Sequence, residues 1–312
     1  MTDVRWDCVI AGGGPAGLSA ALILGRARRR TLLCDTGEPR NRWSRAMHGY
    51  LTRDGVAPDT FLAIARAELA RYPTIEHRRA RLEDASRQGD GFELLVEGGE
   101  RLRSRTVLVA TGLVDELPSI DGLDALYGRS VHLCPYCDGW EHRDAAIAAF
   151  GRGEAGARLA IKLRQWSADV VWFADGDPGI DGELRAQLDA AAVTIRPERV
   201  RRLEGRDGRL ERIMLDSVPP VERSALFLAT RQRQASRLAE RLGCRVNHRG
   251  TVDTGSAERT EIPGVFVAGD ASKDAQLVIV AAAEGAEAGV AIDTLLIRLD
   301  HESRRSGEAL RP

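Results

Sequence analysis

The feature that most constrains this chain is a glycine-rich loop between an apolar strand and a helix, and this feature occurs twice. Residues 7–35 read DCVIAGGGPAGLSAALILGRARRRTLLCD, and residues 145–175 read AAIAAFGRGEAGARLAIKLRQWSADVVWFAD. Each stretch begins with an apolar strand pattern, passes through a G-x-G-x-x-G loop into a helical pattern, and ends in a second apolar strand. This order of elements is typical of a dinucleotide-binding unit.

The first loop has the glycine spacing that lets a backbone approach a pyrophosphate closely. Gly12 and Gly14 allow the tight turn, and Gly17 lets the helix pack against the strand. The N-terminus of that helix then offers free N–H groups to phosphate oxygens. Asp35, at the end of the second strand, is placed to accept hydrogen bonds from a ribose. We therefore predict a dinucleotide site at this loop.

The second stretch keeps the loop glycines at Gly151, Gly153 and Gly156, and it ends in Asp175. The segments that follow the two stretches also match. Each contains short strand patterns with turns, then a strand that runs into ATG at residues 110–112 or into AT at residues 229–230. The chain therefore contains an internal duplication, and we predict an α/β protein with two dinucleotide-binding domains.

The composition argues against two classes of partner. Lysine and arginine total 45, aspartate and glutamate total 46, and the net charge is −1, so the basic footprint of a nucleic-acid-binding protein is missing. The first residues, MTDVRWDCVIAGGG, do not resemble a secretory signal. No apolar stretch reaches the roughly 18 residues that a membrane helix needs. We expect a cytoplasmic protein that binds neither nucleic acid nor a membrane.

Two of the five cysteines, Cys134 and Cys137, form a C-x-x-C pair in HLCPYCDGWEH, residues 132–142. The pair could exchange electrons with a disulfide, could bind zinc together with His132 and His142, or could be buried and inert. Structural zinc sites usually join two separated pairs of ligands, whereas these four residues lie in one short loop. The pattern therefore favours a redox pair, and we assign no metal ligand.

A third segment, residues 262–296, reads IPGVFVAGDASKDAQLVIVAAAEGAEAGVAIDTLL. It predicts a strand that ends in Gly269 and Asp270 and is followed by a long alanine-rich helix. An aspartate at this position can bind a ribityl chain, and the N-terminus of the helix can face the polar edge of a flavin. The segment therefore indicates a flavin as one of the two dinucleotide cofactors.

Taken together, the order and spacing of these motifs over residues 5–298 resemble the low-molecular-weight thioredoxin reductase family, within the pyridine nucleotide-disulfide oxidoreductases. The resemblance implies two Rossmann-like, three-layer ββα domains, with the second inserted in the first. An FAD domain would comprise residues 1–116 and 247–312. An NAD(P)-binding-like domain that carries the C-x-x-C pair would comprise residues 117–246. The resemblance also implies a homodimer.

The resemblance assigns roles to individual residues. Cys137 would exchange electrons with the flavin, Cys134 would attack the disulfide of an outside partner, and Asp138 would be the acid–base residue. The residues expected to contact FAD are Gly12, Gly14, Pro15, Ala16, Gly17, Asp35, Ala110, Thr111, Gly112, Gly269 and Asp270. Gln276 lies where the family usually has an Arg-Gln-Ala sequence, and we include it as a flavin contact. Gly151, Gly153, Gly156 and Asp175 would bind the second nucleotide.

The second nucleotide site departs from the family pattern. Thioredoxin reductases carry a basic motif there that holds the 2′-phosphate of NADPH, whereas this chain reads FADGDPGIDGELR, residues 173–185. Asp175, Asp177 and Asp181 would repel a phosphate, and an acid after this strand instead fits the free ribose hydroxyl of NADH. Arg152 is bulky within the loop, and Glu154 places a carboxylate where a pyrophosphate should lie. The cofactor is therefore predicted to be FAD, with the choice between NADH and NADPH open.

The resulting functional hypothesis is an FAD-dependent thiol-disulfide oxidoreductase that acts on a thioredoxin-like protein or a small disulfide or dithiol. Two alternatives use the same cofactor: a dithiol oxidase that passes electrons to oxygen, and a reductase with a donor other than NADPH. A third alternative, from a different class, is a non-catalytic sensor or scaffold that binds flavin or zinc.

Overall fold

The computed structural model describes residues 5–273 and 275–306, and the chain divides into two compact units. The first unit comprises the chain up to Arg40, the segment Asp59–Val114 and the chain from Gln232 onwards. The second unit comprises Asn41–Pro58 and Asp115–Arg231. The larger part of the second unit is thus inserted in the first.

These bounds differ in two places from the domain boundaries drawn on the sequence. Residues 232–246 belong to the first unit, because Leu238, Leu242 and Cys244 are buried in its hydrophobic core. Residues 41–58 belong to the second unit. In that segment, His48 lies 3.5 Å from the carboxylate of Glu141.

The strands of the structure are short and alternate with helices along most of the chain. They are Arg5–Ala11 (β1), Thr31–Asp35 (β2), Ile75–Arg79 (β3), Leu82–Gln88 (β4), Gly91–Val96 (β5), Arg101–Val109 (β6), Leu113–Asp115 (β7), Val131–His132 (β8), Ile147–Phe150 (β9), Val170–Phe173 (β10), Thr194–Arg196 (β11), Val200–Arg206 (β12), Arg209–Leu215 (β13), Val221–Glu222 (β14), Ala225–Leu228 (β15), Gln232–Gln234 (β16) and Val265–Val267 (β17).

The α-helices range from single turns to one long helix near the end of the described chain. They are Pro15–Arg26 (α1), Pro58–Leu69 (α2), Leu123–Leu126 (α3), Pro135–Asp138 (α4), Gly153–Leu163 (α5), Gly182–Ala190 (α6), Leu238–Arg241 (α7) and Val278–Ser306 (α8). Short 3-10 turns span Arg40–Trp43, Trp140–His142, Ser256–Glu258 and Gly269–Ala271.

The first unit is built on a parallel sheet. Its strands follow the order β3-β2-β1-β6-β5-β4, and β17 pairs with the C-terminal half of β6. Strands β1, β2, β3, β6 and β17 are parallel, whereas β4, β5 and β6 form an antiparallel meander. The carboxyl ends of β1, β2, β6 and β17 therefore meet at one edge, which is where open parallel sheets bind ligands.

The side chains of the parallel strands alternate between two cores, as the period of two in a strand requires. On one face, Ile10 and Leu33 pack with residues of α1 and α8, including Leu24 and Ile292. On the other face, neighbouring residues such as Val9 pack under the meander and α7. The result is three layers: helices, parallel sheet and β-meander.

The second unit repeats this plan. Its parallel sheet has the order β11-β10-β9-β15-β8, with helices α5 and α6 packed on one face. The antiparallel strands β12, β13 and β14 cover the other face. This arrangement confirms the predicted α/β fold, with two Rossmann-like units and an internal duplication.

A small residue at the contact between α1 and α8 fixes how closely these helices approach. A Cβ atom added at Gly285 of α8 would lie 2.0 Å from the carbonyl oxygen of Ala16 in α1.

Among the described helices, none is both long enough and apolar enough to cross a membrane.

We expect Gly285→Ala to lower the free energy of unfolding by roughly 1–3 kcal/mol, because the added methyl meets backbone that cannot rotate away. The measurement is the midpoint of urea denaturation. Gly255→Ala is the control, since this glycine lies in the same unit, has no positive φ, and its Cβ would have only the carbonyl oxygen of Arg259 nearby, at 3.8 Å. Equal shifts in the two variants would contradict the explanation.

Candidate active site

The C-x-x-C pair is a disulfide in the second unit. Cys134 and Cys137 are bonded to each other with their Cα atoms 5.3 Å apart. Cys134 is the N-cap of α4, and its Sγ accepts a hydrogen bond from the backbone N–H of Cys137 at 3.1 Å. Pro135 occupies the first helical position, where a missing N–H is harmless. The helix start thus directs a donor at Cys134, which would stabilise negative charge on this sulfur once the disulfide is reduced.

Three polar side chains, Asp138, His132 and His142, lie in a row beside the segment that carries the disulfide. The Asp138 Oδ1 atom lies 3.2 Å from His132 Nδ1, and His132 Nε2 lies 2.9 Å from His142 Nε2. His132 is 6 % exposed and is held by the pairing of β8 with β15. Its ring packs against Phe227, at 5.5 Å between centroids. The apolar sheet therefore fixes the position of His132, the middle residue of the three.

The two imidazoles cannot both donate to each other, so these partners assign the protons. The Nδ1–H tautomer of His132 points its proton toward Asp138 and leaves Nε2 to accept from the Nε2–H of His142. The pKa of His142 is lowered to about 4, mainly by burial and also by the neighbouring His132, while Asp138 opposes the shift. His142 is therefore neutral at neutral pH.

The four residues weighed as zinc ligands contact one another in pairs. Cys134 and Cys137 are joined by the S–S bond, and His132 and His142 lie against each other. No group of three or more metal-ligating side chains is found in the part of the chain that the structure describes.

Two large aromatic side chains beside the disulfide are exposed to solvent. Tyr136 is 67 % exposed and Trp140 is 65 % exposed. The Tyr136 ring packs edge-on against Trp166, and the guanidinium of Arg143 stacks on Trp140 at 4.3 Å. Exposed aromatic side chains next to a reactive group are typical of a surface that meets a partner.

The first glycine loop has the shape of a phosphate-binding turn. A Cβ at Gly12, where φ is +107°, would lie 2.3 Å from the carbonyl oxygen of Ala110, and one at Gly17 would lie 1.9 Å from the carbonyl oxygen of Gly12. A Cβ at Gly14 would meet nothing within 4 Å, so the loop is open there. Gly14 is the N-cap of α1 and has no side chain to cap it, so the helix N–H groups are available to an anion.

Two buried polar atoms next to this loop have no hydrogen-bond partner among the described residues. They are Thr111 Oγ1, in the Ala110-Thr111-Gly112 turn, and Arg66 Nε. Arg66 lies beside Asp35, whose Oδ2 atom accepts from Arg66 Nη2 at 3.4 Å. A buried polar atom without a partner is costly, so these two atoms and the open loop fit a bound phosphate and ribose.

Gly269 and Asp270 follow strand β17, so they lie at the same edge of the sheet as the first glycine loop. Asp270 Oδ2 accepts from Arg40 Nη1 at 2.8 Å, and Gln276 Oε1 accepts from the same nitrogen at 2.6 Å. The backbone N–H of Gly269 donates to the buried carboxylate of Glu284 at 2.8 Å. Burial raises the pKa of Glu284 to about 7.

The second glycine loop is built like the first, and an arginine of the loop pairs with the acid that ends the second strand. The φ of Gly151 is +154°, and a Cβ at Gly156 would lie 2.0 Å from the carbonyl oxygen of Gly151. Arg152 Nη2 lies 2.8 Å from Asp175 Oδ2, and Asp175 Oδ1 accepts from the backbone N–H of Val200 at 3.2 Å. Both carboxylate oxygens of Asp175 therefore already have partners.

Comparison with known proteins agrees with this geometry. A family model described as pyridine nucleotide-disulphide oxidoreductase matches residues 6–285. The chain belongs to this family.

Several relatives match over most of the chain. A probable thioredoxin reductase of Arthroderma benhamiae is 30 % identical over 302 residues, which cover 86 % of this chain and 75 % of that protein. The crystal structure of a putative thioredoxin reductase from Bacillus anthracis is 31 % identical, with a TM-score of 0.88, and covers 96 % of this chain and 99 % of its own. The crystal structure of HlmI is 37 % identical, with a TM-score of 0.93, over 97 % of this chain and 96 % of its own.

The sequence-based assignment to a thioredoxin reductase-like family is thus confirmed, and the chain is a flavin-dependent disulfide oxidoreductase. The family implies FAD together with a pyridine nucleotide. The residues at the first loop fit FAD, because the open turn, Thr111 and Arg66 offer unused donors to its phosphates and sugars.

The structure gathers the predicted residues of this oxidoreductase into three groups. The predicted FAD contacts lie at one edge of the first unit's sheet, the second glycine loop lies with Asp175 in the second unit, and the disulfide lies with Asp138. Arg40, Arg66 and Glu284 were not predicted from the sequence, because each meets its partner only in the folded chain and no local pattern marks it. The sequence pattern indicates His132 and His142 only as metal-ligand types. Their closeness to Asp138 in the sequence could also have suggested a path for protons.

The low pKa of His142 predicts a measurable dependence of stability on pH. The unfolded imidazole, with its ordinary pKa of 6.5, binds protons that the folded one, at about 4, does not. Stability is therefore lost as the pH falls from 6.5 towards 4. His142→Gln removes this loss, which we expect to amount to roughly 1–2 kcal/mol, because the ring is only partly buried.

The measurement is the midpoint of urea denaturation of the oxidised protein at pH 7.5 and pH 4.5. The control is His248→Gln, because His248 is exposed. A His142→Gln variant whose midpoint falls on acidification as steeply as that of the wild type would refute the assignment.

Proposed function

We propose that this chain is a thioredoxin reductase-like enzyme that passes electrons between FAD and the Cys134–Cys137 pair, and from the pair to a disulfide of a thioredoxin-like protein. The observation that carries the proposal is a disulfide at a helix start next to Asp138, which lies in a row with the buried His132 and the half-buried His142. The relatives named as thioredoxin reductases and the exposed rings of Tyr136 and Trp140 support a protein partner.

The thiol chemistry proceeds in two exchanges. The Cys134 thiolate attacks one sulfur of the partner disulfide, which forms a mixed disulfide and releases the other partner sulfur as a thiolate. The Cys137 thiolate then attacks Cys134 Sγ, which restores the Cys134–Cys137 bond and releases the second partner thiolate. Asp138 and the two histidines supply the protons that the leaving thiolates take up.

The cofactor assignments follow the two units. FAD, which supplies a two-electron donor and acceptor when bound, would occupy the first unit. Its phosphates would lie at the loop of Gly12, Gly14, Pro15, Ala16 and Gly17. One ribose would lie at Asp35, and the flavin end would lie at Ala110, Thr111, Gly112, Gly269, Asp270 and Gln276. The domain bounds 1–116 with 247–312, and 117–246, stay a proposal together with these contacts.

The pyridine nucleotide that best fits the second unit is NADH. Asp175 would repel a 2′-phosphate, and its guanidinium partner Arg152 is already neutralised by the pair that they form. Gly151, Gly153 and Gly156 would bind the pyrophosphate. Glu154 is paired with Arg158 and so need not fill the phosphate position itself.

A second candidate function is a dithiol oxidase that accepts electrons from a small dithiol and passes them to oxygen. The observation that favours it is the Arg152–Asp175 pair, because Arg152 competes with a nucleotide ribose for Asp175 Oδ2. The homodimer implied by the resemblance and the cytoplasmic location expected from the sequence stay predictions.

Anaerobic titration of the purified flavoprotein tests the nucleotide. We expect NADH to bleach the flavin absorbance at concentrations about tenfold below those of NADPH, and Asp175→Asn to remove most of this preference. Asp177→Asn is the control, because this neighbouring carboxylate is exposed. If neither nucleotide bleaches the flavin and a dithiol does, the reductase proposal fails and the oxidase is supported.

Single cysteine variants test which thiol of the pair attacks the disulfide of the partner. With the aromatic disulfide DTNB as probe, we expect the free Cys134 of Cys137→Ser to react at least tenfold faster than the free Cys137 of Cys134→Ser. The reason is the N–H donor at Cys134 Sγ. Cys8, Cys34 and Cys244 contribute little background, because they are buried and burial raises the pKa of each thiol. The reverse order of rates would exclude Cys134 as the attacking thiol.

A further inference from the structure

Two buried carboxylates, Glu284 and Glu258, hold the turn that follows strand β17. Glu284, in helix α8, is 6 % exposed, and its Oε2 atom accepts from the backbone N–H of Gly269 at 2.8 Å. Glu258 is 2 % exposed, and its Oε1 atom lies 3.2 Å from Lys273 Nζ. The turn that carries Asp270 is therefore held at its start by one acid and at its end by the other.

The position of Glu284 in α8 also brings it close to the first glycine loop. A Cβ at Gly285, the next residue of the helix, would lie 2.0 Å from the carbonyl oxygen of Ala16. A Cβ at Gly269 would lie 3.1 Å from the Cβ of Ala16. Ala16 lies in the first turn of α1, whose N–H groups are available to an anion. Both close approaches place Glu284 beside the end of α1 that would receive the phosphates of FAD.

The charged groups around Glu284 leave its own carboxyl without a cation. Among the described residues, the charged groups that act on it are Glu258, Asp270 and Lys273. Glu258 pairs with Lys273 at 3.2 Å, and Asp270 is paired at 2.8 Å with Arg40. In the part of the chain that the structure describes, the one polar contact of the Glu284 carboxyl is an uncharged backbone N–H.

This environment favours the neutral form of the carboxyl group. The pKa of Glu284 is raised to about 7, mainly by burial and also by the neighbouring Glu258 and Asp270. The hydrogen bond from Gly269 and the charge of Lys273 oppose the shift. Glu284 is therefore divided between its neutral and its ionised form near neutral pH, so that a further negative charge nearby can decide between the two forms.

We propose that Glu284 is a positioning residue of the FAD site, which holds the Gly269–Asp270 turn as a neutral carboxylic acid when FAD is bound, so that FAD binding takes up a proton. The inference rests on the proposed function, because it requires FAD in the first unit. The pyrophosphate of FAD is anionic, and a like charge nearby disfavours the ionised form of a carboxyl group. The neutral acid still accepts from the N–H of Gly269 through its carbonyl oxygen.

The pH dependence of FAD binding follows from this proton. Below pH 7, most of the apoprotein already carries the proton on Glu284, so this residue adds no pH dependence there. Above pH 7, the apoprotein is ionised at Glu284 and must take up a proton when it binds FAD, so the affinity falls as the pH rises. A residue that only supported the backbone would leave the pH profile unchanged.

The experiment measures the Kd of FAD for the apoprotein at pH 6.5 and pH 8.5, from the quenching of flavin fluorescence. We expect the Kd of the wild type to rise about tenfold, since each unit by which binding raises the pKa is worth up to a factor of ten. Glu284→Gln keeps the shape and the acceptor of the neutral acid and should bind FAD equally well at both pH values. Glu287→Gln is the matched control, since it removes a carboxylate from an exposed position of the same helix and should keep the wild-type profile.

The inference is overturned if the wild-type Kd is the same at both pH values, or if Glu284→Gln keeps the wild-type profile. It is also overturned if Glu287→Gln loses the pH dependence to the same extent. If Glu284→Gln does not yield a folded apoprotein, the wild type decides. In weak buffer at pH 8 with a pH indicator, it should take up protons as FAD is added, and a lack of uptake overturns the inference.

A wild-type protein that neither contains nor binds FAD would refute the proposed function instead, so the two failures are distinguishable.

Discussion

The close approach of backbone to backbone at the two glycine loops is the constraint on which both units depend. A Cβ at Gly17 would lie 1.9 Å from the carbonyl oxygen of Gly12, and a Cβ at Gly156 would lie 2.0 Å from that of Gly151. No side chain fits at either position, so each helix can begin directly against the end of its strand. This contact places helix N–H groups at the sheet edge, and the rest of each site is assembled around them.

Much of the fold could be predicted because its signals are local. The glycine loops, the alternating strands and the acidic strand ends each lie within a few residues, and their repetition identified the duplication. The C-x-x-C pair was equally local, and the structure shows it as a disulfide. The hydrogen bonds of Arg40 to Asp270 and Gln276 could not be predicted, because these partners lie more than 200 residues away in the sequence and no local pattern marks them. The placement of residues 41–58 with the second unit likewise depends on tertiary contacts such as that of His48 with Glu141.

The remaining thiols are arranged so that redox chemistry is confined to one pair. Burial raises the pKa of Cys8 to about 12 and that of Cys34 to about 11, so neither is a thiolate near neutral pH. Cys244 is also buried, with its pKa raised for the same reason. In contrast, Cys134 has a backbone donor at its sulfur, and Asp138, next to Cys137 in the sequence, lies 3.2 Å from the buried His132. Reactivity in this chain is thus decided by environment more than by cysteine count.

The ion pair between Arg152 and Asp175 has a consequence for how the second unit maintains its shape. In many nucleotide-binding domains the ligand itself neutralises the charges around the glycine loop, so that the empty domain is strained or loose and gains much of its stability on binding. Here Asp175 has partners within the unit itself, since it pairs with Arg152 and accepts from the backbone N–H of Val200. The charge at this strand end is therefore balanced without a nucleotide, so the fold that carries the disulfide does not depend on a ligand there.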